Sequence, residues 1–481
     1  MTDLLELGKK AAETAQKLGA DEAEVFLCTE KHVNVKFVGG IFASRGGAVK
    51  GLKGTFARIA EPWIKKKGVP FMNSGARAGV GVRAIVDRAM GFASVSSLEE
   101  KKVLGAVEEA VKIAKIRPPD PNWVTLPEPE KPLSGGGVYD KRIADMSVDE
   151  LLSASADCCV WGGNFDKRIV QTMSMVLAVS ANFCTVNTRG IEAYDERTVF
   201  SVFMDFKAKR NDDEVSAGES VHSRKVIENL QPIAASTAQK AVECLGRKPL
   251  PEKYMGPVVF ENTSWADLFS SIFPSGISAF NVQESRSVYK GKMGQQVAGA
   301  EVSIIDDGTL PDGVDTVKVD DEGVPKQKTP IIENGVLQGF LHDNYSAKRE
   351  NARSTGSASR QRAFGSATYA NQPMIRPSNL TFTAGKRTLR DLISELGEGV
   401  LVKGFLIGSS HSNVVTGDFS VTAGTAFKIE KGDIAYPLKP CTVAGNLYES
   451  LTSVISIGND LKYLQNVLCP SVIVDKIVVS T

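Results

Sequence analysis

"IVQTMSMVLAVSANFCTVN" (169–187) and "TVFSVFMDFKAKR" (198–210) alternate apolar with small or polar residues over unusually long runs. A period of two sends successive side chains to opposite faces of a pleated strand. Two such runs close together in sequence predict neighbours in an antiparallel meander. A helix is expected just before them, near 147–157. A longer one follows over "SRKVIENLQPIAASTAQKAVECLG" (223–246), closing at Gly246.

Toward the N-terminus, Leu4, Leu5, Ala11, Ala12, Ala15 and Leu18 recur at helical spacing, with Gly19 as the stop. "AEVFLCTE" (23–30) and "HVNVKFV" (32–38) read as strands. "GVGVRAIVD" (79–87) and "GFASV" (91–95) read as a further pair joined by a turn near Asp87. "SLEEKKVLGAVEEAVKIAKI" (97–116) carries an apolar helical face. Residues 1–116 are therefore expected to form an N-terminal α/β domain. Prolines and a final run of glycines mark "RPPDPNWVTLPEPEKPLSGGG" (117–137) as a linker, opening a middle segment that extends to 250.

From 251 to 481 the chain is rich in short strands. "VSIIDDGTLPDG" (302–313), "TPIIENGVLQGFLHD" (329–343) and "FKIEKGDIAYPL" (427–438) each place apolar strands on either side of an Asp-Gly, Asn-Gly or Lys-Gly turn. The expected class is α+β, with an N-terminal α/β domain joined to a large β-rich, mainly antiparallel C-terminal domain.

Composition narrows the function. The 481 residues contain 57 Lys+Arg against 56 Asp+Glu, a net charge of +1, which argues against a broad nucleic-acid footprint. The best local basic patch is "RSTGSASRQRAFGSA" (353–367). No apolar run reaches the roughly 20 residues that span a bilayer, and the N-terminus reads as an amphipathic helix rather than a signal peptide. A cytoplasmic protein is the expectation. The seven cysteines are scattered with no C-x-x-C, as reduced core thiols would be. The sequons at Asn262, Asn344 and Asn379 are then chance matches.

Several kinds of chemistry are missing. None of His32, His222, His342 and His411 is followed by Glu, so no H-E-x-x-H motif exists. "GARAGVGVR" (75–83) is glycine-rich but precedes a strand where a dinucleotide fingerprint should follow one. "GSSHS" (408–412) holds Ser and His together without a nucleophile elbow. Asp306-Asp307 and Asp320-Asp321-Glu322 sit beside glycines and read as solvated hairpin turns rather than a cation site. "LFSSIFPSGISAF" (268–280) sets Ser270, Ser271 and Ser275 in an otherwise apolar run, as a nucleophile, a polar seam or a site without its chemistry.

The phrases "IIDDGTLP", "VDDEGVPKQKTPIIENGVLQGFLHD", "TGDFSVTAGTAFKIEKGDIAYPL", "VAGNL" and "SIGND", with "GVGVRAIVDRAMGFASV" near the N-terminus, resemble the TldD/PmbA family, also called the modulator of DNA gyrase family. The resemblance covers nearly the whole chain. It implies a cytoplasmic metallopeptidase assembly of two subunits and a peptidase-like region over 251–481. In the TldD-type subunit an H-E-x-x-x-H helix and a later cysteine bind zinc, and the Glu suits the role of base. The PmbA-type subunit, also called TldE, lacks that motif.

Counting back from "YKGKMGQQVAG" (289–299), the resemblance sets the two His positions on Ser270 and Ser275 and the Glu on Ser271. A hydroxyl is a poor zinc ligand and a poor base at neutral pH. Cys469, in "NVLCPSVIV", falls beyond the usual ligand position. Ser270 and Ser275 lie roughly 140° apart on an ideal helix, so they share one face only if Pro274 distorts it.

The resemblance therefore implies a non-catalytic TldE/PmbA-type subunit with no metal of its own, zinc in a TldD-type partner, and peptides or unfolded proteins as substrate. Nucleic acid and membrane are not expected as direct partners. A homodimeric peptide-binding protein and a serine-dependent hydrolase are the alternatives. An extended peptide can add a strand to a free edge with little sequence demand. His411, Asn413, Thr416, Gly417 and Asp418, in "IGSSHSNVVTGDFS" (407–420), are the groove candidates, with a purely structural turn as the competing reading.

Overall fold

The computed structural model describes residues 2–40, 68–133, 135–361 and 368–481. The alternating runs form two full strands, β4 (Ile169–Asn187) and β5 (Glu192–Arg210), paired antiparallel as expected, with Val176 opposite Val202. β6 (Asp213–Ser223) continues the meander. The two short strands expected over 23–38 are one strand, β1 (Glu22–Gly40). It lies between β4 and β2 (Gly68–Val86), and β3 (Ala89–Val95) completes a sheet ordered β3-β2-β1-β4-β5-β6. This sheet continues across the boundary expected at 116/117.

One face is apolar along its length. Val25, Leu27, Val33 and Val35 all point the same way and meet Val80, Val82, Val176, Val202 and Met204. Among the described residues, four long helices cover it: α1 (Thr2–Lys17), α2 (Glu100–Ile116), α3 (Val148–Phe165) and α4 (Gln231–Glu243). Their alanines, Ala11, Ala15, Ala106, Ala110, Ala234 and Ala238, are buried and allow close packing on the β-branched face. The segment expected as a linker is a packed strap: Trp123 and Leu126 are buried, and the Glu22 carboxylate accepts from Trp123 Nε1 (3.3 Å) and Leu126 N (3.1 Å).

Beyond 251, β7 (Tyr254–Phe260), β11 (Gly399–Ile407), β12 (Asp418–Glu430), β13 (Cys441–Asn446) and β15 (Val472–Ser480) form a sheet ordered β11-β7-β15-β13-β12. It closes because β12 also pairs with β11, Leu401 opposite Phe427. Closure removes free edges. A second sheet holds β8 (Ile304–Asp307), β9 (Lys328–Glu333), β10 (Leu380–Phe382) and β14 (Val467–Cys469). Most pairings are antiparallel, so the α+β class holds. The Asn334-Gly335 and Lys431-Gly432 turns have positive φ at both residues, the geometry a tight hairpin requires.

The other face of the first sheet meets the C-terminal region through charge. Glu24 and Arg83 are register partners on β1 and β2. Arg83 donates to both Glu24 oxygens (3.1 and 2.6 Å) and to Glu322 Oε1 (2.8 Å). Arg360 also pairs with Glu24, its guanidinium 4.8 Å over the Phe26 ring. Glu24 and Arg360 have no exposure at all.

The expectation that Asp320-Asp321-Glu322 forms a solvated turn is therefore overturned. Asp320 and Glu322 are buried, and the Asp320 carboxylate accepts from the N–H groups of Glu322, Val324 and Ala358 at 2.9–3.0 Å. The cation nearest Glu322, Arg83, comes from a distant part of the chain, and Lys326 offsets Asp320 locally. Asp306 is also buried, accepting from Ser378 N at 2.7 Å, and burial pushes its carboxyl up to about 7. "GARAGVGVR" lies inside β2, and its glycines make room: a Cβ on Gly79 would meet the Tyr369 ring at 2.6 Å, and one on Gly81 the Tyr369 carbonyl at 2.2 Å.

Arg83→Met leaves two buried carboxylates short of a cation and is expected to lower stability by about 3–5 kcal/mol in chemical denaturation. Lys225→Met, breaking an exposed pair with Asp312, is expected to cost less than about 1 kcal/mol. Asp306 has a folded pKa above its unfolded value, so its stabilising contribution is lost as pH rises through about 7. Relative to Asp306→Asn, the native chain should lose on the order of 1 kcal/mol between pH 6 and pH 8. Denaturation series at the two pH values measure this.

Candidate functional site

The 268–280 stretch belongs to α5 (Asn262–Gly276), which runs through Pro274 without ending. Its apolar side is core: Trp265, Phe269 and Phe273 are fully buried, with Phe269 stacked on Phe273 (4.3 Å) and edge-on to Phe382 (4.9 Å). Asp267, Ser270, Ser271, Pro274 and Ser275 keep partial exposure. At 100° per residue these positions span a strip about 140° wide with Ser270 and Ser275 at its edges. The three serines do not converge on one point.

Their hydroxyls are engaged locally. Ser270 Oγ and Ser271 Oγ both donate to the Asp267 carbonyl (3.1 and 2.9 Å), and Ser275 Oγ accepts from Asn281 Nδ2 at 3.1 Å. Such bonds to the preceding turn are the ordinary resting state of helical serines. This donor set does not suit zinc. Cys469 is fully buried on β14, its thiol pushed well up by desolvation. Among the described residues, no three of His, Cys, Asp and Glu gather where they would hold a metal ion.

Sequence reasoning missed Asp267. Its carboxylate accepts from Leu406 N at 2.9 Å, joining α5 to the end of β11, and burial raises its pKa. The signal was available, since Asp267 stands three and four residues before the serine pair. Beyond β11, the loop carrying the groove candidates satisfies itself. Asn413 Oδ1 accepts from Val415 N (3.0 Å) and Thr416 N (3.1 Å), and Gly417 N donates to the Asn413 carbonyl. Thr416 Oγ1 donates to Asp418 (2.6 Å), and Asn446 Nδ2 bonds both the Thr416 carbonyl and Asp418 (each 2.8 Å). Gly417 has φ +89°, and a Cβ there would meet the Tyr448 ring at 2.4 Å. His411 is exposed, its ring 3.4 Å from Ser410 Oγ.

In the basic patch over 353–367, Arg360 is buried against Glu24 and so withdrawn from any phosphate. Residues 362–367 lie outside the described residues.

Sequence reasoning also missed a cavity of ≈ 660 Å³ between the outer face of the first sheet and the closed sheet. Met175, Leu177, Phe203, Phe405 and Leu464 are the large apolar side chains on its inner wall. His222 stands between Ser201 Oγ (2.8 Å from Nδ1) and Ser220 Oγ (3.0 Å from Nε2), and burial lowers its pKa. Ser201 and His222 are opposite each other in the β5–β6 register, a juxtaposition that strand pairing creates. Lys240, also on the wall, reaches Glu219 (3.3 Å) and Glu261 (3.7 Å).

Comparison with known proteins gives the following. The family described as PmbA/TldA metallopeptidase C-terminal domain matches residues 251–481, and PmbA/TldA metallopeptidase domain 1 matches 68–114. An uncharacterized protein of Methanocaldococcus jannaschii is 30% identical over 85% of this chain and 90% of its own. The metalloprotease PmbA homolog of Haemophilus influenzae is 26% identical over 86% and 87%. The crystal structure of TldE from Thermococcus kodakarensis superposes with a TM-score of 0.83 over 99% of this chain and 100% of that one. At 22% identity this is a likeness of fold.

The geometry of α5 gives a contrast to measure. The double substitution Ser270→Ala with Ser271→Ala should change stability by less than about 0.5 kcal/mol, because each hydroxyl only back-bonds its own helix. Asp267→Ala strands the Leu406 N–H and should cost about 1–3 kcal/mol. Thermal and urea denaturation of the two variants make the comparison.

Proposed function

The chain belongs to the PmbA/TldD metallopeptidase family, and from that premise we propose that it is a non-catalytic, TldE-type subunit. It pairs with a zinc-bearing TldD-type subunit and helps to enclose and hold peptides or unfolded protein for cleavage, in the cytoplasm. The observation that carries this reading is the polar strip of α5. Where the resemblance sets two histidines and a glutamate, three hydroxyls stand, two of them bonded to the helix backbone. A serine hydroxyl needs a base beside it to act as a nucleophile. The hydrogen-bond partners of these hydroxyls are the Asp267 carbonyl and the Asn281 amide, neither a base, and the Asp267 carboxylate on the same strip is engaged by Leu406 N.

The proposed contribution to substrate binding is a surface that holds main chain and side chains. The loop after Ile407 carries His411, Val414 and Val415 exposed to solvent, while its turn through Asn413, Thr416, Gly417 and Asp418 keeps a fixed shape. His411 is the candidate of that group free to meet a substrate. The other four hold the loop in place. No described helix is long and apolar enough to cross a membrane.

Metal analysis and casein cleavage, with and without a co-expressed TldD-type partner, test the proposal. The isolated chain is expected to carry substoichiometric zinc and to leave casein intact. The pair is expected to co-purify, to carry zinc and to lose cleavage on chelation. Stoichiometric zinc in the isolated chain would overturn the reading. So would chelator-resistant cleavage by the isolated chain that disappears in Ser271→Ala.

A further inference from the structure

We propose that the cavity between the first sheet and the closed sheet binds an extended peptide segment in which an apolar side chain neighbours a cationic group. This deepens, and rests on, the reading of the chain as a peptide-binding subunit. At ≈ 660 Å³ the cavity lies within the roughly 300–1,000 Å³ range of ligand sites. Its apolar walls come from both sides, with Phe203 and Phe405 facing each other at 6.1 Å between ring centroids. Ile407, also on the wall, leaves 70% of its surface in water, an apolar face that a ligand side chain would cover.

Charge selects the second feature. Three ionisable side chains, Asp205, His222 and Lys240, line the cavity. Lys240 is matched by Glu219 and Glu261. His222 is held toward its neutral form by burial and lies between two hydroxyls. Asp205 alone is unmatched: among the described residues its carboxylate has no hydrogen bond and no ion pair. The cations that act on it are Lys207 and Lys36, and Lys207 turns to Glu214 at 3.6 Å. Burial raises the Asp205 pKa, which a bound cation would reverse.

The floor is open to main chain. Gly404 and Gly424 line the cavity, and a Cβ on either would meet nothing within 4 Å. A peptide backbone can therefore approach the face of the closed sheet closely there.

The test is fluorescence anisotropy on the full chain, using a labelled hexapeptide with alternating leucine and lysine. A second peptide carries norleucine for lysine, and each is made with a free and an acetylated amino terminus. Asp205→Asn should weaken the lysine peptide about tenfold, the scale of one charge-assisted hydrogen bond, and leave the acetylated norleucine peptide within about twofold. If the acetylated lysine peptide loses affinity as the free one does, the cation is the side chain. If only free termini respond, it is the terminal ammonium. Gly424→Leu fills the cavity and should weaken every peptide by about tenfold or more.

Peptide binding that ignores both substitutions overturns the cavity as the site and leaves the peptide-binding reading standing. Failure of the native chain to bind any of the peptides overturns both. Circular dichroism checks the fold of each variant, and the near-isosteric Asp205→Asn carries the test should the leucine unfold the chain.

Discussion

Two carboxylates and two guanidiniums, almost wholly removed from water, hold the first sheet against the C-terminal region: Glu24, Arg83, Glu322 and Arg360. Burying such ions costs several kcal/mol each, which their mutual attraction repays only with good geometry and full hydrogen bonding. Arg83 meets Glu24 with two parallel bonds, the arrangement a guanidinium makes best. The value of the cluster is geometric. An apolar contact tolerates sliding, whereas paired charges in low dielectric accept one register. The glycines of β2 follow from the same constraint, since the chain around Tyr369 can sit beside Arg360 only if Gly79 and Gly81 carry no side chain.

A second set of charges works at the far edge of the first sheet, around β6. Lys240 of α4 bridges Glu219 of β6 and Glu261, the residue that precedes α5. Glu261 Oε2 in turn accepts from Gly404 N at 3.1 Å. Along β4, Asn187 lies beside Glu24 and Met175 lines the cavity, a distance of roughly 40 Å at strand rise. The surfaces are thus pinned near Glu24 and again near Glu219. Between these pins the Phe203 and Phe405 rings meet across the two sheets, and the cavity opens beside that contact.

Local chemistry was legible in the sequence and long-range chemistry was not. Alternation gave β4 and β5, helical spacing gave α1 and α2, and Asn334-Gly335 gave its hairpin. The clamp was invisible because its partners stand 59, 239 and 336 residues apart. Asp320-Asp321-Glu322 read as solvated because three acids beside a glycine usually are. Arg83 and Arg360, brought in by the fold, and the buried Lys326 reverse that. The linker over 117–137 read as free for a similar reason: proline excludes helix and strand, but it does not prevent Trp123 and Leu126 from burying themselves. The cavity failed to show because Ser201 and His222 become neighbours only when β5 and β6 pair.

In α5 the core contacts and the polar strip lie on separate sides of one helix. One side of this helix is the centre of the C-terminal core, where Trp265, Phe269 and Phe273 contact one another and Phe382. None of the residues of the opposite strip belongs to that core. A histidine or glutamate on a half-buried strip needs a partner or a metal to offset its desolvation, whereas a serine closes its own bond onto the preceding turn. Under the proposed reading, serines in place of ligands would leave packing, helix and fold intact while removing the chemistry. The two faces of α5 are energetically separable, so a chain can keep the architecture of a peptidase and act through the surfaces that hold a substrate.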